Sequence, residues 1–310
     1  MTKRIEDNLL KIPVLNWLVR IAMRIKIPGM QGMSLYDLLE MYIIGIVNGA
    51  LTSRAGAIAF SFFMALFPFL LFILTLIPFV KIEGFHEDFM TLIYDMLPPT
   101  TSESVDLVIQ DITSNSYSGL LSFGFITSIF LMTNGVNAIF GGFEYSYHVK
   151  VTRNVLRQYF VALGVSLILS ILLLLTVAVM VYFEIFLKGL EADGVHLDSA
   201  YWVRYSRILF FIFMIYTAVS ILYNYGVKDL SQRHYFTIGA ALTTLLTILT
   251  FYLFGIYVEK FAQYNQLYGS IGTLLILMLF VWLNSIILLL GFELNAAMNR
   301  LRLKHKIAKP

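Results

Sequence analysis

Long apolar stretches alternate with short polar ones along this chain. The runs extend from Arg54 to Pro78, Leu120 to Phe140, Tyr159 to Leu187, Ile208 to Gly226, Phe236 to Val258 and Ile271 to Leu294. Each approaches or exceeds the roughly 20 residues a helix needs to cross a hydrocarbon core. Backbone in lipid must satisfy its own hydrogen bonds, so the pattern predicts an all-α integral membrane protein with six transmembrane helices. The first run carries the clearest polar pattern. At about 100° per residue, Arg54, Ala57, Ser61, Ala65 and Pro68 fall on one face, while Phe60, Phe63, Phe67, Leu70 and Leu74 fall on others. A stripe of small, weakly polar side chains on an apolar helix is a packing face or a pathway face. Pro68 removes a backbone donor within that helix and favours a kink that opens packing space.

The flanking segments are amphipathic. Leu9 to Ile27 sets Leu15, Leu18, Val19 and Ala22 against Lys11, Arg20, Arg24 and Lys26. That suits a helix at an anionic membrane surface, or a solvated helix on the cytoplasmic mouth. Leu35 to Leu51 reads as a second pre-membrane helix whose Gly45-x-x-x-Gly49 spacing permits close helix approach, within one chain or between two copies. The outer loop, residues 81–119, is acidic and predicts two short amphipathic helices on either side of Leu97-Pro98-Pro99, acting as a lid or as a headgroup belt. The expected organisation is therefore amphipathic cytoplasmic or interfacial helices over 1–53, a six-helix membrane domain over 54–297 and a basic cytoplasmic tail over 298–310.

Composition agrees. The chain is 59% hydrophobic and 13% charged, with a mean hydropathy of +0.79, outside the range of soluble domains. Little chain is left over for a separate soluble catalytic domain. The absence of cysteine excludes disulfides, thiolate metal sites and cysteine nucleophiles. Alternate segments hold 17 and 5 of the 22 Lys and Arg residues, which predicts cytoplasmic N- and C-termini. The N-terminus has no short apolar core followed by a small-residue cleavage site, so the first span is expected to act as the signal.

Candidate chemistry sits on polar faces within the spans. On the second, Thr127, Asn134, Asn137, Gly141 and Glu144 share one arc; on the sixth, Asn284, Gly291 and Asn295 align, with Glu293 roughly opposite. Asparagine is costly against lipid, so these faces should point into the bundle or a wet cavity. Topology puts Arg54, Glu144 and Glu293 at one depth, with Arg153 close by in the following turn. An arginine so near hydrocarbon calls for a carboxylate, supplied by Glu144 or by Glu293, either as a clamp fixing helix register or as part of a substrate pathway. Asn134, Asn137 and Asn284 would line the route; Tyr264, Asn265 and Tyr268 would guard its outer mouth or form an interfacial aromatic belt. The triplets Gly142-Phe143-Glu144 and Gly291-Phe292-Glu293 both close spans running toward the cytoplasm, but three residues match by chance and no internal repeat is read from them. The five histidines lie in separate segments, and no Walker A loop or GxSxG elbow is present. No catalytic residue, metal site or cofactor is predicted.

Three segments resemble the YihY/BrkB envelope proteins of bacteria, formerly labelled ribonuclease BN. They are RAGAIAFSFFMALFPFLLF from Arg54, NAIFGGFEYSY from Asn137 with the later Arg153, and the module from Ile238 to Ala296. The resemblance runs from about Tyr36 to Ala297. It implies a six-helix inner-membrane protein, without established enzymatic chemistry, linked to envelope integrity and to handling of lipid or lipopolysaccharide precursors. Carried onto this chain, the family pattern marks Arg54, Pro68, Asn137, Gly141, Gly142, Tyr147, Tyr264, Asn265, Tyr268, Gly269, Ser270, Gly291, Glu293 and Leu294. Two departures are Tyr225-Gly226-Val227, where the family often has Leu-Pro-Asn, and Phe292, where it has alanine. RNA hydrolysis needs metal ligands or an accessible acid/base pair, and neither is visible. The expected protein is transporter-like and handles a lipid or an anionic, amphipathic substrate; the alternative is a non-transporting scaffold. Expected partners are membrane lipids, an anionic lipid or small amphipathic substrate, and a second copy of the chain, but not nucleic acid.

Overall fold

The computed structural model describes residues 23–24, 26, 34–76, 90–91, 118–146, 149, 153–192, 199–227, 237–261 and 270–307. Most of the predicted basic helix over 9–27, most of the outer loop over 81–119, and the Tyr264, Asn265, Tyr268 trio lie outside the described residues. The described chain forms α1 (Leu35–Asn48), α2 (Leu51–Leu76), α3 (Ser118–Glu144), α4 (Val155–Ala192), α5 (Ser199–Gly226), α6 (Ile238–Phe261) and α7 (Ser270–Ile307). Five of these, α3 to α7, contain stretches long and apolar enough to cross a membrane, and the bent pair α1 and α2 makes a sixth if counted as one span.

That bent pair joins the expected pre-membrane helix to the first long apolar run. Ser34 caps α1: its Oγ accepts from the Asp37 N–H at 3.2 Å while Asp37 Oδ2 accepts from the Ser34 N–H at 2.9 Å, a reciprocal capping box. The helix ends where the Gly49 N–H donates to the Gly45 carbonyl, and Ala50 follows with φ 46°, the left-handed region. The axis turns by 63° there. The bend therefore lies at Gly49 and Ala50, and α2 runs through Pro68 as one helix. Leu35 to Asn48 packs against α7, so it belongs to the bundle.

Close packing follows the small residues. The most extensive contact is between α2 and α3: a Cβ at Gly135 would stand 3.1 Å from that of Ala65, and one at Gly142 2.6 Å from Ile58 Cδ1. The predicted small-residue stripe of α2 is thus in part its packing face against α3. Between α6 and α7 the approach is closer still, since a Cβ on Gly291 would overlap Thr243 Oγ1 and one on Gly239 would overlap the Gly291 carbonyl oxygen. Around these contacts lies a core that includes Ile58, Phe140, Phe143, Leu289 and Phe292.

Apolar side chains also cover the outside. On α4, Ile168, Ile171, Leu175, Val179 and Tyr182 recur at helical spacing and are exposed, a surface that suits lipid and not water. Hydroxyls inside the helices bond back to their own backbone, as Thr133 does to Ile129, Thr176 to Leu172 and Thr244 to Ala240. Such bonds let a polar side chain exist in hydrocarbon without a partner helix.

Candidate functional site

Arg54, in the second turn of α2, is the centre of the site. Its Nη2 donates to Glu293 Oε1 at 2.7 Å and its Nη1 to the Gly142 carbonyl at 2.9 Å. The other carboxylate oxygen of Glu293 accepts from Ser146 Oγ at 2.8 Å. Side-chain exposure is 6% for Arg54 and 0% for Glu293, so both charges are out of solvent. The pairing has a local reason on each side. The last carbonyls of a helix lack partners, and a cation at that negative end satisfies one of them while meeting the helix dipole. Gly142 is in the last turn of α3.

Of the two acids the sequence left open for Arg54, the structure pairs it with Glu293. Glu144 accepts instead from the Arg153 backbone N–H at 3.1 Å, at the start of α4. The Arg153 guanidinium in turn donates to the Tyr225 carbonyl in the last turn of α5. Two arginines therefore each cover the C-terminus of a different helix. Asn295 completes the same end of the bundle, its Oδ1 accepting from the Gly239 N–H at 2.9 Å and its Nδ2 donating to Thr237 Oγ1 at 3.0 Å. At the opposite end Glu184 pairs with Lys188 and Arg207 at 2.7 and 2.8 Å.

Two cavities flank Arg54 and the side chains next to it. The first, about 600 Å³, is walled by Gly49, Ala50, Ser53, Arg54 and Ala57, by Asn137, Ala138, Gly141, Gly142 and Tyr145, and by Gln158 of α4. We call it the mouth. The second, about 310 Å³, lies among α2 to α7 and is mainly apolar, with Ile58, Ile139, Leu222, Phe280 and Leu288 on its wall together with Thr243, Thr247, Asn284 and Ser285. Adjacent residues serve both: α2 gives Ala57 to the mouth and Ile58 to the central cavity, and α3 gives Ala138 and Ile139 in the same order.

The predicted residues thus separate. Arg54 and Asn137 line the mouth, Glu293 lies behind Arg54, and Asn284 lines the central cavity, so the three asparagines do not share one cavity. Asn134 is half-buried about one turn from Asn137, and Thr127 is half-buried further along α3. Ser61 and Pro68 are half-buried on α2 and line neither cavity. Sequence reasoning missed Ser146, Gln158 and the Tyr223 hydroxyl, which donates to the Leu288 carbonyl at 2.7 Å and lies 2.6 Å from Thr243 Oγ1. Only Ser146 had a signal, its place in the segment GGFEYSY. Among the described residues no group of three or more His, Cys, Asp or Glu side chains is placed to hold a metal ion.

The family model described as Virulence factor BrkB matches residues 46–310. Among curated proteins, the ribonuclease-like protein YfkH of Bacillus subtilis (strain 168) is 28% identical over 256 residues, covering 80% of this chain and 90% of its own. A UPF0761 membrane protein of Coxiella burnetii (strain Dugway 5J108-111) is 25% identical, covering 77% of this chain and 84% of its own. Another, of Haemophilus influenzae (strain 86-028NP), is 23% identical, with 81% and 91% covered. No solved structure matches the chain.

Proposed function

We propose, from the premise that this chain belongs to the BrkB family of membrane proteins, that it is a transporter-like protein of the bacterial inner membrane handling a lipid or another amphipathic, anionic substrate. Its termini would be cytoplasmic, as the excess of Lys and Arg in the segments on the Arg54 side requires. The observation that carries the reading is the buried Arg54–Glu293 pair, whose arginine lines an open, partly polar mouth, with a mainly apolar central cavity beginning at the next residues of α2 and α3. An anionic headgroup entering the mouth would compete with Glu293 for the guanidinium. Its apolar part would pass toward the inner cavity once the pair loosened. The ribonuclease-like name belongs to the Bacillus relative, and the family is not an established enzyme family.

The alternative, a non-transporting scaffold, is favoured by one observation: Arg54 is already neutralised and hydrogen-bonded at both Nη atoms, as a register clamp would be. Purified protein in liposomes with labelled neutral and anionic lipids separates the two readings. Movement of anionic lipid that Arg54→Ala abolishes supports transport; no movement under any ion gradient supports the scaffold.

A further inference from the structure

We infer that the central cavity binds a hydrocarbon chain bearing a hydroxyl group, and that Asn284 Oδ1 accepts a hydrogen bond from that hydroxyl. The inference rests on the proposed function in one respect, that it names the part of the substrate the inner cavity takes. Asn284 Nδ2 donates to the Phe280 carbonyl at 2.9 Å, one turn back on α7. Only the nitrogen of the amide can donate to a carbonyl, so this bond fixes which way the amide lies. Its Oδ1 is then buried without a partner among the described residues. A buried acceptor left unmade is costly, and each such atom in a folded protein calls for an explanation.

The surroundings select the chemistry of the missing partner. Apart from Asn284, the polar side chains on the wall are Thr243, Thr247 and Ser285. Thr243 is held by Tyr223 and Ser285 donates to the Val281 carbonyl. The rest of the wall is aliphatic or aromatic. An isolated water would want two to four polar partners and finds few here. A hydroxyl on a hydrocarbon chain needs one acceptor and otherwise an apolar wall, which this cavity supplies. Its volume of about 310 Å³ lies at the lower end of the range for small-ligand sites, on the order of 300–1,000 Å³.

The test uses the full-length protein in nanodiscs with photoactivatable decan-1-ol as probe, and reads the labelled positions together with competition by unlabelled decan-1-ol and by decyl methyl ether. The ether has an oxygen that accepts but cannot donate. We expect labelling on α6 and α7 around Phe251, Phe280 and Val281, and competition by the alcohol at a concentration about tenfold lower than by the ether, the scale of one buried hydrogen bond. Asn284→Leu should abolish that preference, and Thr247→Val should leave it. Equal competition by alcohol and ether in the unaltered protein, labelling confined to the lipid-facing surface, or a preference that survives Asn284→Leu would overturn the inference. The unaltered protein alone decides the matter if Asn284→Leu fails to fold. Failure of lipid translocation with the alcohol preference intact would sink the transport reading and leave the chain site; the converse result would do the reverse.

Discussion

The rings of Phe143 and Phe292 lie parallel within 9°, with centroids 4.2 Å apart. The two Gly-Phe-Glu triplets, one closing α3 and the other inside α7, therefore meet at their central residues. Tyr223 of α5 packs edge-on against both rings, at 5.6 and 5.9 Å, and a Cβ on Gly226 would stand 2.5 Å from Phe143 Cδ2. The departure at Phe292 thus fills the space beside Phe143, and Gly226 leaves room for that ring. Both phenylalanines are fully buried. Truncating either to alanine should cost on the order of 3–5 kcal/mol, measured as a lowered unfolding midpoint in detergent; a loss under 1 kcal/mol would mean the layer repacks.

The buried pair should behave as a unit. Removing one partner strands a charge away from water, a cost on the order of 3–5 kcal/mol. Arg54→Met and Glu293→Leu should each destabilise strongly, and the double variant should lose much less than the sum. Arg54→Met combined with Glu144→Gln should be additive, because Glu144 bonds to Arg153. Additivity in the first cycle, or strong coupling in the second, would contradict the assigned partners.

Glycine substitutions should divide by position. Alanine at Gly239 or Gly291 forces α6 and α7 apart and should cost roughly 1–3 kcal/mol or more. Gly164 and Gly255 have nothing within 4 Å of an added Cβ, so alanine there should be neutral or stabilising by up to about 1 kcal/mol through helix propensity. Unfolding midpoints of the four variants check this ordering.

At the bend, neighbouring residues should respond in opposite ways. Ala50, at φ 46°, accepts a conformation that costs an L-residue on the order of 1–2 kcal/mol, so Ala50→Gly should be neutral or stabilising. Gly49→Ala would place a Cβ 2.5 Å from the Gly45 carbonyl and 2.9 Å from Arg54 Nη2, and should destabilise. Equal effects in the same assay would place the bend elsewhere.

The helices were legible because period and hydropathy are properties of single segments. Six apolar runs map onto α2 to α7, and charge distribution separates the two ends of the bundle. The partner of Arg54 was not legible: Glu144 and Glu293 share a depth, and only the three-dimensional arrangement of helix ends tells them apart. The same limit hid the pairing of the Gly-Phe-Glu triplets, since three matched residues carry no distance. The bend at Gly49 and Ala50 also escaped, because it depends on a positive φ at an alanine. Ser146 and Gln158 looked like ordinary polar residues in a turn and at a helix start. Asn284 was singled out for its polarity in an apolar run, yet it lines a cavity different from that of Asn137.

Under the proposed function, the Arg54–Glu293 pair would gate movement from the mouth toward the central cavity. The cysteine-free chain allows a direct measurement: the rate at which a charged, membrane-impermeant thiol reagent modifies Ser53→Cys in the mouth and Ser285→Cys on the central wall. With the pair intact, Ser53→Cys should react readily and Ser285→Cys slowly. Adding Glu293→Ala should raise the Ser285→Cys rate while leaving Ser53→Cys unchanged. A Ser285→Cys rate that stays slow without Glu293, in protein that still shows a cooperative unfolding transition in detergent, would make the pair a structural clamp and contradict the gate.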